Sequence, residues 1–163
     1  DLHLITMKPM MYVVNVDELG AANASIILEE GVPHVYVCAR LEAELADLSR
    51  EEAATYMKDL GIVESGLDKI IKAGYTLLNL ITFLTSGEQE TRAWTVQAGA
   101  KGPEAAGVIH TDFIKGYVKA EVAKYEDFVA LNGWPGVKEK GKMRLEGKDY
   151  VVQDGDVVYF HIA

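Results

Sequence analysis

Two short stretches and one charged cluster hold the residue types that could do chemistry. Asn15-Val16-Asp17-Glu18 closes the apolar run MMYVV with an amide and two acids, and Cys38-Ala39-Arg40 closes a second run, HVYV. An asparagine can offer both a donor and an acceptor to the edge of a heterocyclic base, and a carboxylate three residues on can accept from ring or exocyclic N–H groups. A small residue such as Ala39 lets backbone amides come close to a ligand. Ordinary loop chemistry is the commoner use of such residues, so on composition alone a nucleotide site is the sharper of two open readings. The cluster is GVKEKGKMRLEGK, where Lys138, Lys140, Lys142, Arg144 and Lys148 stand in sequence against only Glu139 and Glu146. These cations suit contact with phosphates, and a solvated surface turn is the blander use of the same charges.

Other chemistries find no footing. Gly136 to Met143 follows GxxxxGK, the phosphate-cradling loop, up to the position where a Ser or Thr hydroxyl should hold magnesium; Met143 has none. No strand precedes that segment to aim it. The single Cys38 and the histidines His3, His34, His110 and His161 have no metal-ligand spacing. No nucleophile, base and orienting group assemble, so neither a catalytic residue nor a metal ligand is assigned in this chain. His110, Trp94 and Phe113 read as structural residues.

The elements that must position these residues follow from periodicity. Residues 10–16 and 34–39 are short apolar, β-branched runs separated by AANASIILEE, which suits a helix; strand, helix, strand is a βαβ unit with parallel strands. In such a unit ligands bind beyond the carboxyl ends of the strands, where both candidate turns fall. Two helices are expected next, starting at Ser49 and Ser65, with Glu52 and Asp68 completing capping boxes. After residue 79 the texture changes to alternation. LITFLTS and RAWTVQA read as a hairpin, PEAAGVI as a helix, GYVKAEVA as a third strand, and DYVVQDGDVVYFHI as two further strands around a turn at 153–156. YEDFVALNG and VKEKGK read as helical turns.

Charge divides at the same place. Residues 1–79 hold 6 Lys and Arg against 13 Asp and Glu, whereas residues 80–163 hold 10 against 12. A chain of net charge −9 repels nucleic acid as a whole, so any phosphate contact must be local. No apolar run approaches the roughly 18 residues of a membrane span, and the first residues lack a leader pattern, so a cytosolic protein without a membrane or DNA partner is expected.

Six blocks carry a resemblance: KPMMYVVNVDE, VCARLEAEL, ESGLDKIIKAGY, LITFLTSGEQETRAW, AAGVIHTDFIKGYVKAEV and RLEGKDYVVQDGD. In this order they resemble the C-terminal half of the YchF or Obg-like ATPase family, over essentially the whole chain. The resemblance implies an α/β remnant of a P-loop nucleotide-binding domain with two connecting helices over residues 1–79. An α+β domain of the β-grasp, ubiquitin-like TGS kind would follow over 80–163. It implies a ribosome-associated protein that hydrolyses ATP in preference to GTP, binds ATP and ADP, uses Mg2+ and meets the ribosome, a ribosomal subunit or RNA.

By the same resemblance the nucleotide contacts are Asn15, Val16, Glu18, Cys38, Ala39 and Arg40. Related GTPases carry Asn-Lys-x-Asp where this chain has Asn15-Val16-Asp17-Glu18. A carboxylate fixed for guanine's ring N–H would face a ring acceptor in adenine and so discriminate against ATP. Cys38-Ala39-Arg40 matches the family's Ser-Ala-Lys loop with two replacements, leaving the Ala39 backbone amide. Lys138, Lys140, Lys142, Arg144 and Lys148 are the implied ribosome or RNA contacts. The family's phosphate-binding loop, magnesium-binding switches and coiled coil lie upstream, so this chain is expected to be inactive alone, and the span from Glu18 to Val32 is short for the family. The alternative is a non-catalytic module that binds ribosomes or RNA.

Overall fold

The computed structural model describes residues 4–17, 31–87 and 90–163. They fall into two compact units, Asp1–Leu78 and Asn79–Ala163. Glu18 and the helix expected over AANASIILEE lie outside the described residues.

In the first unit β1 (Tyr12–Asn15) pairs in parallel with β2 (His34–Val37), Asn15 standing opposite Val37. Both strands therefore end side by side, and the Val16 N–H continues the ladder to the Val37 carbonyl at 2.9 Å. Three helices follow, where two were expected: α1 (Ala39–Ala46), α2 (Arg50–Asp59) and α3 (Gly66–Leu77). The additional helix, α1, starts one residue after Cys38, so the second candidate turn is a strand-to-helix junction. Its Leu41 is buried, as are Val37 and Cys38, among the described residues of this unit.

The Ser49 cap is reciprocal: its hydroxyl accepts from the Glu52 N–H and Glu52 accepts from the Ser49 N–H at 2.9 Å. Ser65 accepts from the Asp68 N–H at 3.0 Å, and the carboxylate of Glu42 on α1 takes the neighbouring orphan amides of Gly66 and Leu67 at 2.7 and 3.2 Å. Gly66 has a steric reason to be glycine: a Cβ there would meet Val37 Cγ1 at 2.9 Å and Glu42 Oε1 at 3.0 Å. One carboxylate thus ties α1 to the start of α3 and holds both against β2.

The second unit is a five-stranded mixed sheet in the order β4-β3-β7-β5-β6. Strands β3 (Leu80–Ser86) and β4 (Thr91–Gln97) form an antiparallel hairpin, and β5 (Tyr117–Lys124) lies antiparallel to both β6 (Arg144–Glu146) and β7 (Asp156–Ile162). The central pair β3–β7 is parallel. Helix α4 (Gly102–Ile109) buries Ala105 and Ala106 against Phe83, Tyr117, Ala120, Val122 and Val158, which make the core. Short helices α5 (Asp112–Gly116), α6 (Tyr125–Ala130) and α7 (Trp134–Glu139) complete the unit.

The strand expected over DYVV does not form. Its backbone turns back on the loop before α4, with the Val152 N–H on the Ala100 carbonyl at 3.0 Å and the Gly102 N–H on the Tyr150 carbonyl at 2.9 Å. Val152 is buried as an apolar plug, and a lone bridge from Lys101 to Val151 is all the ladder there is. The sheet edge is supplied instead by Arg144–Glu146, a segment whose charges hide its extended character. Among the described residues no helix is long and apolar enough to cross a membrane.

Candidate functional site

Asn15 and Ala39, twenty-four residues apart, meet across the two strand ends: the Ala39 N–H donates to Asn15 Oδ1 at 3.0 Å. Ala39 is the first residue of α1, whose amide lacks an intrahelical acceptor, and the Cys38 side chain makes no capping bond. Asn15 therefore caps α1 from another strand. The bond spends the amide that sequence reasoning reserves for a base, and it leaves the Asn15 NH2 group with its two donors. Val16 is half-buried, while Cys38 is buried and presents no thiol to solvent. Arg40 reaches along α1 to Glu44 at 3.1 Å. Glu18 lies outside the described residues.

The cationic cluster is arranged differently from its sequence. Folding adds Glu121, Asp127 and Asp156 to the two acids of the segment. Lys138 Nζ stands 2.8 Å from Glu121, Lys142 is 3.6 Å from Asp127, and Lys140 is 3.5 Å from Glu139. The Lys138 bond holds the Glu121 carboxyl below its usual range against the opposing effect of burial, with His161 helping. Arg144 is the most committed of the five. It contacts Glu146 at 3.3 Å and Asp156 at 3.4 Å, bonds the Tyr150 hydroxyl at 3.0 Å and lies over the Tyr150 ring. Lys148 is exposed.

The pseudo-phosphate loop is a helix end. A Cβ at Gly136 would collide with the Leu131 carbonyl. Gly141 takes a φ of +63° after α7, where the Gly141 and Lys142 amides close on the Lys138 and Val137 carbonyls in the manner of a Schellman motif. Both glycines serve the turn. Among the described residues no three His, Cys, Asp or Glu side chains come together to hold a metal ion.

Sequence reasoning missed one further feature. Phe128, Trp134, Tyr159 and His161 line a hollow of 790 Å³ that also contains Lys138 and Glu121. The spacing of Tyr159 and His161, two apart on one strand and so on one face, was the available signal. The pairing of His161 with Glu121 at 3.1 Å joins residues forty apart and leaves no local trace.

Residues 80–163 match the family model YchF-GTPase_C, described as a protein of unknown function (DUF933). The chain belongs to the YchF family. It is 53% identical over 165 residues to the ribosome-binding ATPase YchF of Haemophilus influenzae, covering 97% of this chain and 46% of that protein. It is 43% identical over 166 residues to the Obg-like ATPase 1 of Gallus gallus, covering 95% of this chain and 42% of that protein. The solved structure of the Schizosaccharomyces pombe YchF GTPase superposes with a TM-score of 0.81 at 35% identity, over 96% of this chain and 44% of that one. The chain thus spans a little under half the length of the YchF proteins it matches, and its mixed α/β fold is theirs.

Proposed function

We propose that this chain supplies the base-binding edge of a cytosolic, ribosome-associated P-loop ATPase, together with a TGS-type β-grasp module that docks on ribosomes or RNA. Residues 1–79 are the end of the nucleotide domain and 80–163 the docking module. The observation that carries the first part is the Asn15–Ala39 bond at 3.0 Å, because it joins the two strand-end turns into one preorganised edge where parallel α/β sheets take ligands. With its Oδ1 engaged, Asn15 has two N–H donors to offer, and adenine presents ring nitrogens that accept. Glu18 in place of Asp withdraws the carboxylate geometry that favours guanine. ATP and Mg2+ would be used by the protein that also carries the phosphate-binding loop. For the docking half, the order β4-β3-β7-β5-β6 with one parallel central pair and a helix on one face supports the β-grasp reading.

The names of the relatives differ, ATPase for the Haemophilus and Gallus proteins and GTPase for the Schizosaccharomyces one, so nucleotide preference is the point to test. In the protein carrying its complete nucleotide domain, Glu18→Asp should move the kcat/KM ratio for ATP over GTP towards GTP by about tenfold or more. An unchanged ratio overturns the specificity reading. Docking by the second unit predicts that this chain pellets with ribosomes at low salt and is released as salt rises, and that Lys140→Glu with Lys142→Glu weakens it. Failure to pellet at any salt overturns docking by this unit alone.

A further inference from the structure

We propose that the Asn79–Ala163 unit carries a binding track for single-stranded RNA, laid over two adjoining hollows at the end of β3. The proposal rests on the RNA-facing docking reading and names its site. The first hollow, of 790 Å³, is walled by Phe128, Trp134 and Tyr159 and holds Lys138. The second, of 430 Å³, is walled by Trp94, Phe113 and Tyr159 and holds Arg92. Ser86, Gly87 and Tyr159 line both. Each hollow therefore couples an aromatic wall to a cation, and one tyrosine stands between them.

That pairing is the chemistry of an unpaired nucleotide, whose base stacks on a ring while its phosphate meets a cation. Tyr159 is 49% exposed and stands edge-to-face with His161 at 5.2 Å, so the part of its ring that His161 leaves uncovered is what a base can reach. Trp134 is fixed in advance: its indole N–H donates to the Ser86 carbonyl at 2.8 Å, and Phe128 packs edge-on at 5.1 Å. A wall held this way loses little entropy on binding. Lys138 gives one N–H to Glu121 and keeps two others. Arg92 lies 4.5 Å over the Trp94 ring, and a guanidinium in that position offers its own plane as the next layer of a stack. Its contact with Glu90, at 4.0 Å between exposed groups, is weak competition for a phosphate. Two cation-and-ring hollows sharing a tyrosine suit successive nucleotides of a strand better than a free mononucleotide, which would fill one and gain nothing from the other.

Fluorescence anisotropy with end-labelled A6 and U6 RNA, and with abasic hexamers of the same length, tests the track on this chain. The intact hexamers should bind about tenfold tighter than the abasic ones. Tyr159→Ala removes the shared ring and leaves the tryptophan walls, so it should cut that difference about threefold or more without changing abasic binding, while Tyr159→Phe stays within about twofold of the parent. AMP should compete only at far higher concentration than the hexamer. Equal binding of intact and abasic strands, unchanged by Tyr159→Ala, overturns the track and leaves docking by the cations standing. AMP competing as well as the hexamer overturns the strand assignment. If neither hexamer binds at low salt, the track and the RNA-docking reading fall together. Tryptophan fluorescence of the variants confirms that each is folded.

Discussion

Asp156 is the buried acid on which the end of the second unit closes, and its removal gives a sharp test of how Arg144 is used. The residue is 3% exposed, and its carboxylate accepts from the Tyr150 hydroxyl at 2.6 Å, the Gln153 N–H at 2.9 Å and Arg144 at 3.4 Å. Asp156→Ala leaves a backbone amide and a phenol without their acceptor and takes from Arg144 one of its two carboxylates. At about 1–2 kcal/mol for each orphaned donor, with a further contribution from the arginine, the loss should be about 3 kcal/mol. Trp94 and Trp134, the chain's two tryptophans, both lie in this unit, so their fluorescence during urea unfolding reports on it. With a slope of about 1 kcal/mol per molar urea for a domain of this size, the midpoint should fall by about 2–3 M. Asp156→Asn keeps an acceptor and should lose about half as much. Combined with Tyr150→Phe, the alanine variant should cost about 1 kcal/mol less than the sum of the two, since the orphaned phenol is then gone. A midpoint drop under about 0.5 M, or strict additivity, would refute the network and leave Arg144 a cation free to serve elsewhere.

Three further outcomes follow from the same geometry. Asn15→Ala should speed hydrogen exchange of the Ala39 amide about fivefold, the loss of a cap worth about 1 kcal/mol, whereas Asn15→Asp retains the acceptor and should leave that amide protected. Gly66→Ala pushes a methyl into Val37 and the Glu42 carboxylate and should cost about 1–3 kcal/mol of first-unit stability, read from helical circular dichroism; a neutral result would mean that α3 is not seated on β2 as described. Burial and the bond to Asp156 push the Tyr150 phenol from 10.0 up to about 12, so the folded chain holds this proton where the unfolded chain releases it. Its contribution is complete below pH 10 and is lost as pH rises through 12, and Tyr150→Phe should flatten that alkaline arm of a stability titration.

What the sequence made legible divides along the range of the interactions involved. The strands at Tyr12–Asn15 and His34–Val37, the caps at Ser49 and Ser65 and the hairpin from Leu80 to Gln97 are written in residues a few positions apart, and periodicity or capping chemistry reveals them. Helix α1 had a signal too, in Leu41 and Leu45 at i and i+4, but its start hides behind a cysteine that does not cap; the capping oxygen comes from Asn15 on another strand. The edge strand was misassigned for a similar reason. DYVV has the better β pattern, yet Tyr150 and Val152 are wanted as plugs, and the ladder passes to Arg144–Glu146, whose side chains look like surface.

The same distinction separates two kinds of cation that composition cannot tell apart. Arg144 and Lys138 sit six residues apart in one basic segment. Arg144 is planar, multidentate and bound to the 3%-exposed Asp156, so moving it to a phosphate would strand a buried carboxylate. Lys138 holds Glu121 with one donor of three from a side chain that is 50% exposed, so it can meet a phosphate without breaking its pair. Substituting each with glutamine should therefore separate their roles. Arg144→Gln should lower the urea midpoint and leave the salt dependence of RNA binding as it was, and Lys138→Gln should lower that salt slope by about one and barely move the midpoint. If Arg144→Gln instead weakened RNA binding in a protein of undiminished stability, the arginine would be a contact residue and the network around Asp156 would have to be tight without it.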